Sequence, residues 1–152
     1  MTSGRLGVSK EYPGPLPAIP LRVSVIGGGD ASPAELLEAE ALGKYLGRRG
    51  TIVITGGLGG VMEAASRGCL EGGGKTVGFL PGSDPSTANP WVEIPLATGM
   101  GEARNVLVVR TGEIVLAVGG GWGTLSEIAL ARKVGRAVGV VGETMCDLAL
   151  PR

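Results

Sequence analysis

Short apolar runs rich in valine and isoleucine recur along this chain, and most of them give way to a cluster of glycines. The first, residues 21–26, is closed by Gly27-Gly28-Gly29 and reads as a buried strand entering a tight turn. Ser32-Pro33-Ala34-Glu35 then supplies a capping box with proline at the first helical position. Leu37, Ala41 and Tyr45 follow at i, i+4 and i+8 until Gly50 stops the helix. The unit repeats, with a strand over 51–55, the loop Gly56-Gly57-Leu58-Gly59-Gly60, a helix over 61–71 ended by Gly72-Gly73-Gly74, and a strand over 75–80. Residues 81–100 form the longest irregular stretch, broken by prolines, with a short strand around 91–94 and the length to act as a lid. A helix over 101–111, a strand over 113–118, the loop Gly119-Gly120-Gly121-Trp122-Gly123, a helix over 125–134 and a strand over 137–141 complete the alternation.

Strands apolar throughout, alternating with helices, argue for an α/β fold: a Rossmann-like parallel sheet flanked by helices on both faces, in a single domain. That domain is expected over 21–152. Residues 1–20, with Pro13, Pro15, Pro17 and Pro20 and no periodic apolar face, read as an N-terminal arm. In such sheets ligands collect beyond the carboxyl ends of the strands. The three glycine-rich loops all follow strand ends, so they share one rim.

Composition narrows the chemistry. A mean hydropathy of +0.29 with 18% charged residues excludes a disordered chain. Fourteen basic residues balance fourteen acidic ones, so no broad electrostatic footprint for nucleic acid is expected. The absence of histidine removes histidine acid–base catalysis, Ser-His-Asp triads and the usual zinc centres. Cys69 and Cys146 make neither a disulfide scaffold nor a metal site, and Cys69 reads as the buried face of its helix. With no metal, no cofactor, no bilayer-length apolar run and no signal-peptide core, the expectation is a cytoplasmic protein without a membrane partner. Its chemistry must rest on carboxylates, arginine and backbone amides.

Spacing separates the glycine loops. Gly27-Gly28-Gly29-Asp30-Ala31-Ser32 fails the dinucleotide fingerprint at its last position, and the second strand ends in Thr55 rather than an acidic ribose ligand. Gly73-Gly74-Lys75-Thr76 has the tail of a P-loop but precedes a strand, so Lys75 reads as a polar strand start. The strongest candidate is 119–127, where glycines allow close backbone approach and the next helix offers unpaired amides to an anion. A capping box, Thr124-x-x-Glu127, is the alternative reading of the same residues.

The run Gly119-Gly120-Gly121-Trp122-Gly123-Thr124-Leu125-Ser126-Glu127 resembles the P-G-G-x-G-T-x-x-E hallmark of the Lonely-guy type nucleotide-binding proteins, often labelled possible lysine decarboxylases. Arg104 stands 23 residues before Glu127, as in that family, and Gly56 to Glu63 resembles its second glycine loop with a G-x-M segment. The resemblance implies an enzyme that hydrolyses the N-glycosidic bond of a nucleoside 5′-monophosphate, with Arg104 and Glu127 catalytic. It further implies a phosphate held by Gly120, Gly121, Gly123 and Thr124, with Gly28, Gly57 and Gly59 beside it. A decarboxylase is argued against by the lysines, Lys10, Lys44, Lys75 and Lys133, none of which adjoins a phosphate loop that follows a strand.

Gly119 in place of the motif proline, and Asn105 where the enzymes carry lysine, look instead like the subgroup that includes molybdenum-cofactor carrier proteins. These bind a phosphate-bearing pterin without hydrolysing it. Either way the implied partner is a small nucleotide or another phosphate-bearing ligand. A homodimer or larger even assembly is also implied, packed through Val106, Leu107 and Val109 or through Ile128 and Leu130. Trp122 suits a base stack or a dimer anchor. Asp30 and Glu63 sit at the ligand rim or serve as turn and helix-dipole residues.

Overall fold

The computed structural model describes residues 18–142, so the expected arm, apart from its last three residues, and Cys146 lie outside the described residues. Six parallel strands form one sheet: β1 (Arg22–Gly27), β2 (Ile52–Thr55), β3 (Lys75–Leu80), β4 (Ile94–Ala97), β5 (Ile114–Val118) and β6 (Ala137–Val141). Their order is β4-β3-β2-β1-β5-β6. The chain thus builds outward from β1 to one edge, then returns to the other side of β1. The register Val23↔Ile114 to Gly27↔Val118 carries β5 alongside β1.

Helices α1 (Pro33–Arg48) and α2 (Val61–Glu71) cover one face, around Val23, Val25, Val53 and Val118. On the other, α3 (Asn105–Thr111) and α4 (Trp122–Lys133) enclose Ile26, Ile54, Val115 and Ala117. None of the described helices is long and apolar enough to cross a membrane.

The α1 N-terminus forms the capping box that its sequence predicts: Glu35 N donates to Ser32 Oγ at 3.2 Å and Ser32 N to Glu35 Oε2 at 2.7 Å. Its apolar line, however, faces outward. Leu37 is 70% exposed, Ala41 and Tyr45 are exposed too, and the Arg49 guanidinium lies 3.6 Å from the centre of the Tyr45 ring. The buried residues are Ala39, Gly43, Leu46 and Gly47. The cause is the contact with α2, where the helices meet backbone to backbone. A Cβ on Gly43 would run into the Ala65 carbonyl, and one on Gly68 into that of Glu40. Small residues, rather than large apolar ones, allow that approach.

Three boundaries differ from expectation. The edge strand β4 lies three residues later than 91–94, because Glu93 N bonds Thr76 Oγ1 at 2.9 Å and Val77↔Ile94 is where β3 pairing begins. The stretch 81–100 is therefore occupied with the β3 edge and the second glycine loop, where Asn89 Nδ2 donates to Leu58 O at 2.8 Å. It contributes no wall to the cavity described below, as a lid would. The helix expected over 101–111 divides into a 3-10 turn, Gly101–Arg104, and α3, and α4 starts at Trp122.

Candidate functional site

Strand order reverses at β1, whose neighbours are β2 and β5. Such a reversal opens a crevice at the strand carboxyl ends, because the following connections leave to opposite faces. A cavity of about 290 Å³ occupies it. Its walls include Gly27, Gly28 and Gly29 after β1, Gly56 after β2, Met62 of α2, Arg104 and Asn105 at the start of α3, and Gly121, Gly123, Thr124 and Glu127 at the start of α4.

The α4 entry leaves backbone donors facing the crevice. Gly121 is the N-cap and no side chain caps the helix. The first intrahelical bond runs from Leu125 N to Gly121 O at 3.0 Å, which leaves the amides of Trp122, Gly123 and Thr124 without a helical acceptor. Thr124 lies within the helix, so the capping-box alternative does not form. Gly119 has φ +53°, a value closed to proline, and a Cβ there would strike the Glu35 carboxylate. Glycine in place of the motif proline is thus required by the backbone.

Arg104 is buried, and its guanidinium is placed by three contacts. Nε donates to Phe79 O at 2.9 Å, Nη1 donates to Asn105 Oδ1, and Nη2 lies over Gly56, where a Cβ would come within 2.8 Å of it. Burial draws it below the usual guanidinium range, with the charges of Glu127 and Glu102 acting the other way. Glu127 follows Thr124 on the same face of α4. Burial pushes its carboxyl up to about 7, against the opposing pull of Arg104. Among the described residues neither is held in an ion pair.

Of the residues expected at the site, Arg104, Glu127, Gly28, Gly121, Gly123 and Thr124 line the cavity. Gly57, Gly59 and Gly120 do not. Gly57 turns the chain at φ +76° against Leu80 and accepts from Asn89 N, Gly59 points into open space, and Gly120 packs its backbone on the Thr124 side chain. Sequence reasoning met Gly56 only as part of the second glycine loop and Asn105 only as a departure from the enzyme motif, and assigned neither to the site. The first is needed because a Cβ there would come within 2.7 Å of Met62 Sδ and 2.8 Å of Arg104 Nη2; the second flanks Arg104 and bonds it. Trp122, 77% exposed, stands at the rim without lining the cavity. Cys69 is buried, its thiol pushed up to about 11 by burial, and faces the Lys75 carbonyl at 3.4 Å.

Comparison with known proteins gives the family and the fold. Residues 20–150 match the model of the SLOG cluster4 family. The chain belongs to that family. Within the described residues its fold is similar to that of the molybdenum cofactor binding protein from Rippkaea orientalis, at 36% identity and a TM-score of 0.81, over 84% of this chain and 79% of that one. The molybdenum cofactor carrier protein of Chlamydomonas reinhardtii is similar at 38% identity and a TM-score of 0.78, over 86% and 81% of the two chains. An uncharacterized protein of Archaeoglobus fulgidus is 41% identical over 118 residues, 78% of each chain. DNA processing protein A from Helicobacter pylori, described for its single-stranded DNA binding mode, shares the fold alone, at 22% identity and a TM-score of 0.68 over 83% and 67%. Membership is therefore of the SLOG group, and the Lonely-guy enzymes themselves are not among these matches.

Proposed function

We propose that this SLOG protein binds a phosphate-bearing small molecule in the crevice at the end of β1 and holds it as cargo, in the manner of a molybdenum cofactor carrier. The observation that carries the reading is the uncapped N-terminus of α4 opening on a cavity with one buried arginine. Three free amides and the helix dipole favour a phosphate oxygen, and Arg104 supplies the one fixed positive charge among the lining residues. Asn105 holds Arg104 through its Oδ1 and adds no charge of its own. The similarity to two molybdenum cofactor proteins supports the same class of ligand.

Titration of the protein with molybdenum cofactor, followed by calorimetry or co-elution, tests this. Stoichiometric binding that Arg104→Ala weakens is expected, and unchanged binding in that variant would remove the assignment.

A second reading rests on Glu127. A carboxyl near about 7 beside an arginine is poised to exchange a proton at neutral pH, which N-glycosidic hydrolysis of a nucleoside 5′-monophosphate would use. Incubation with AMP and an N6-substituted AMP, with chromatography for free base and ribose 5-phosphate, decides it. Base release lost in Glu127→Ala upholds hydrolysis, and no release leaves the carrier. Both readings suit a cytoplasmic protein, and both are compatible with a homodimer.

A further inference from the structure

Holding a phosphate uses Arg104 and the α4 amides but leaves Glu127, half-buried in the same crevice, without a role. Arg104 and Glu127 are the only charged side chains among the lining residues. The geometry keeps them from neutralising each other directly. Arg104 is anchored by Nε on the Phe79 carbonyl at 2.9 Å and by Nη1 on Asn105 Oδ1, so its guanidinium is committed before a ligand arrives. Glu127 has no ion pair among the described residues, and no hydrogen bond from them draws its carboxyl toward the ionised form.

With Glu127 ionised, the lining side chains carry no net charge. With Glu127 neutral, they carry one positive charge. A phosphate dianion drawn to the α4 amides enters a space of about 290 Å³, so carboxylate and phosphate would compete there for one guanidinium at short range and with weak screening. A proton on the Glu127 carboxyl removes that conflict and turns an acceptor into a donor for a phosphate oxygen.

The surroundings bring no other titratable group to this proton. The β1 and β2 turns present glycines, α2 presents Met62, and α4 itself presents Thr124. Glu102, on the 3-10 turn, is exposed and acts on Arg104. Asp30, Glu63 and Arg67 line a second cavity, of about 350 Å³, on the α1–α2 side, whose walls share only Gly29 with the crevice.

We infer that the crevice takes up its phosphate together with one proton, carried on Glu127, so that this residue sets the pH at which the cargo is held and released. The inference rests on the phosphate reading above and adds its regulation. Carboxylate, one proton from solvent and the phosphate dianion give the complex; loss of that proton leaves a carboxylate facing the phosphate. Burial already pushes the Glu127 carboxyl up to about 7, against the pull of Arg104, which puts the change near neutrality. A bound dianion raises it further, so loading is favoured below about 7 and release above it.

Calorimetric titration with phenyl phosphate and with molybdenum cofactor, between pH ~6 and pH ~8.5, tests this linkage. The second ionisation of a phosphate monoester lies near ~6, so the phosphate is already the dianion over the upper part of the range. Wild-type affinity is expected to fall about tenfold for each pH unit above about 7. Binding at pH ~8 is expected to take up close to one proton, read from the dependence of the heat on the ionisation enthalpy of the buffer. Glu127→Gln, neutral at every pH and checked for folding by circular dichroism, is expected to lose that fall and to bind about tenfold more tightly than the wild type at pH ~8.

Wild-type binding without proton uptake would overturn the inference without any variant. So would a fall with pH that is the same in Glu127→Gln. Both results leave the phosphate reading standing where Arg104→Ala weakens binding. No binding of either probe at any pH, or binding that Arg104→Ala leaves unchanged, would remove the phosphate reading itself and the inference with it.

Discussion

Burial at the crevice wall raises Glu127 to about 7, which means the folded protein holds this proton more tightly than the unfolded chain does. The stability that the protonated group carries is complete below the ordinary carboxylate range and is lost as pH rises through about 7. Glu127→Gln, which cannot ionise, is expected to match the wild type near pH ~4 and to exceed it by roughly 1–3 kcal/mol at pH ~8. Urea midpoints at the two pH values read the difference, and a constant offset would show that the carboxyl titrates as an ordinary one.

Gly121 gives the complementary test. Its φ is −110° and a Cβ meets nothing within 4 Å, so a side chain there is accommodated by the fold and fills the crevice. Gly121→Val is expected to keep its melting temperature and lose phosphate-ester binding about tenfold or more, since the α4 amides become screened. Retained affinity by calorimetry would move the phosphate elsewhere. These two positions were legible in the sequence because a fixed motif names them. Gly56 was not, since the requirement for glycine there comes from Arg104 and Met62 arriving from other parts of the chain.

At the scale of elements, α1 and α2 are joined by glycines rather than by large side chains. Gly43→Ala and Gly68→Ala each drive a methyl into a carbonyl of the facing helix and are expected to cost about 1–3 kcal/mol. Gly82→Ala, with nothing within 4 Å of its Cβ and no positive φ, is the neutral control. Chemical denaturation of the three variants checks this, and a neutral Gly43→Ala would mean that the helices can separate freely. Here the sequence misled in an instructive way. Leu37, Ala41 and Tyr45 share one line of α1, and a periodic apolar line ordinarily marks the inner face. The structure buries the opposite side, where Ala39, Gly43 and Gly47 join Leu46, because close helix contact rewards absence of side chain.

At the scale of the whole molecule, the described residues cover one part of the sheet thinly. Val77 and Phe79 of β3 pack toward the α3–α4 layer, and β4 pairs Ile94 and Leu96 beside them, so all four share that face; Ile94, Leu96 and nearby Met100 are exposed. Val109 and Ile128, expected at a dimer interface, are instead fully buried in the chain's own core, whereas Val106 is exposed. Among the described residues the β3–β4 face is one exposed apolar surface that a homodimer could use, and if it is the interface Leu96→Glu is expected to convert dimer to monomer in sedimentation velocity. A wild-type monomer, or a Leu96→Glu dimer, would exclude that surface.

The order of strands, helices and glycine loops followed from sequence alone, because buried parallel strands are apolar throughout and glycine-bearing turns punctuate them. The motif residues near α4 were also readable, as chemistry at fixed local spacing. Tertiary structure alone decided which side of α1 is inward and that residues 81–100 serve the sheet edge. It alone put Arg104 and Gly56 in contact and set a second cavity beside the first. Those facts depend on packing between segments distant in the chain, and no local pattern of residues encodes the distance between them.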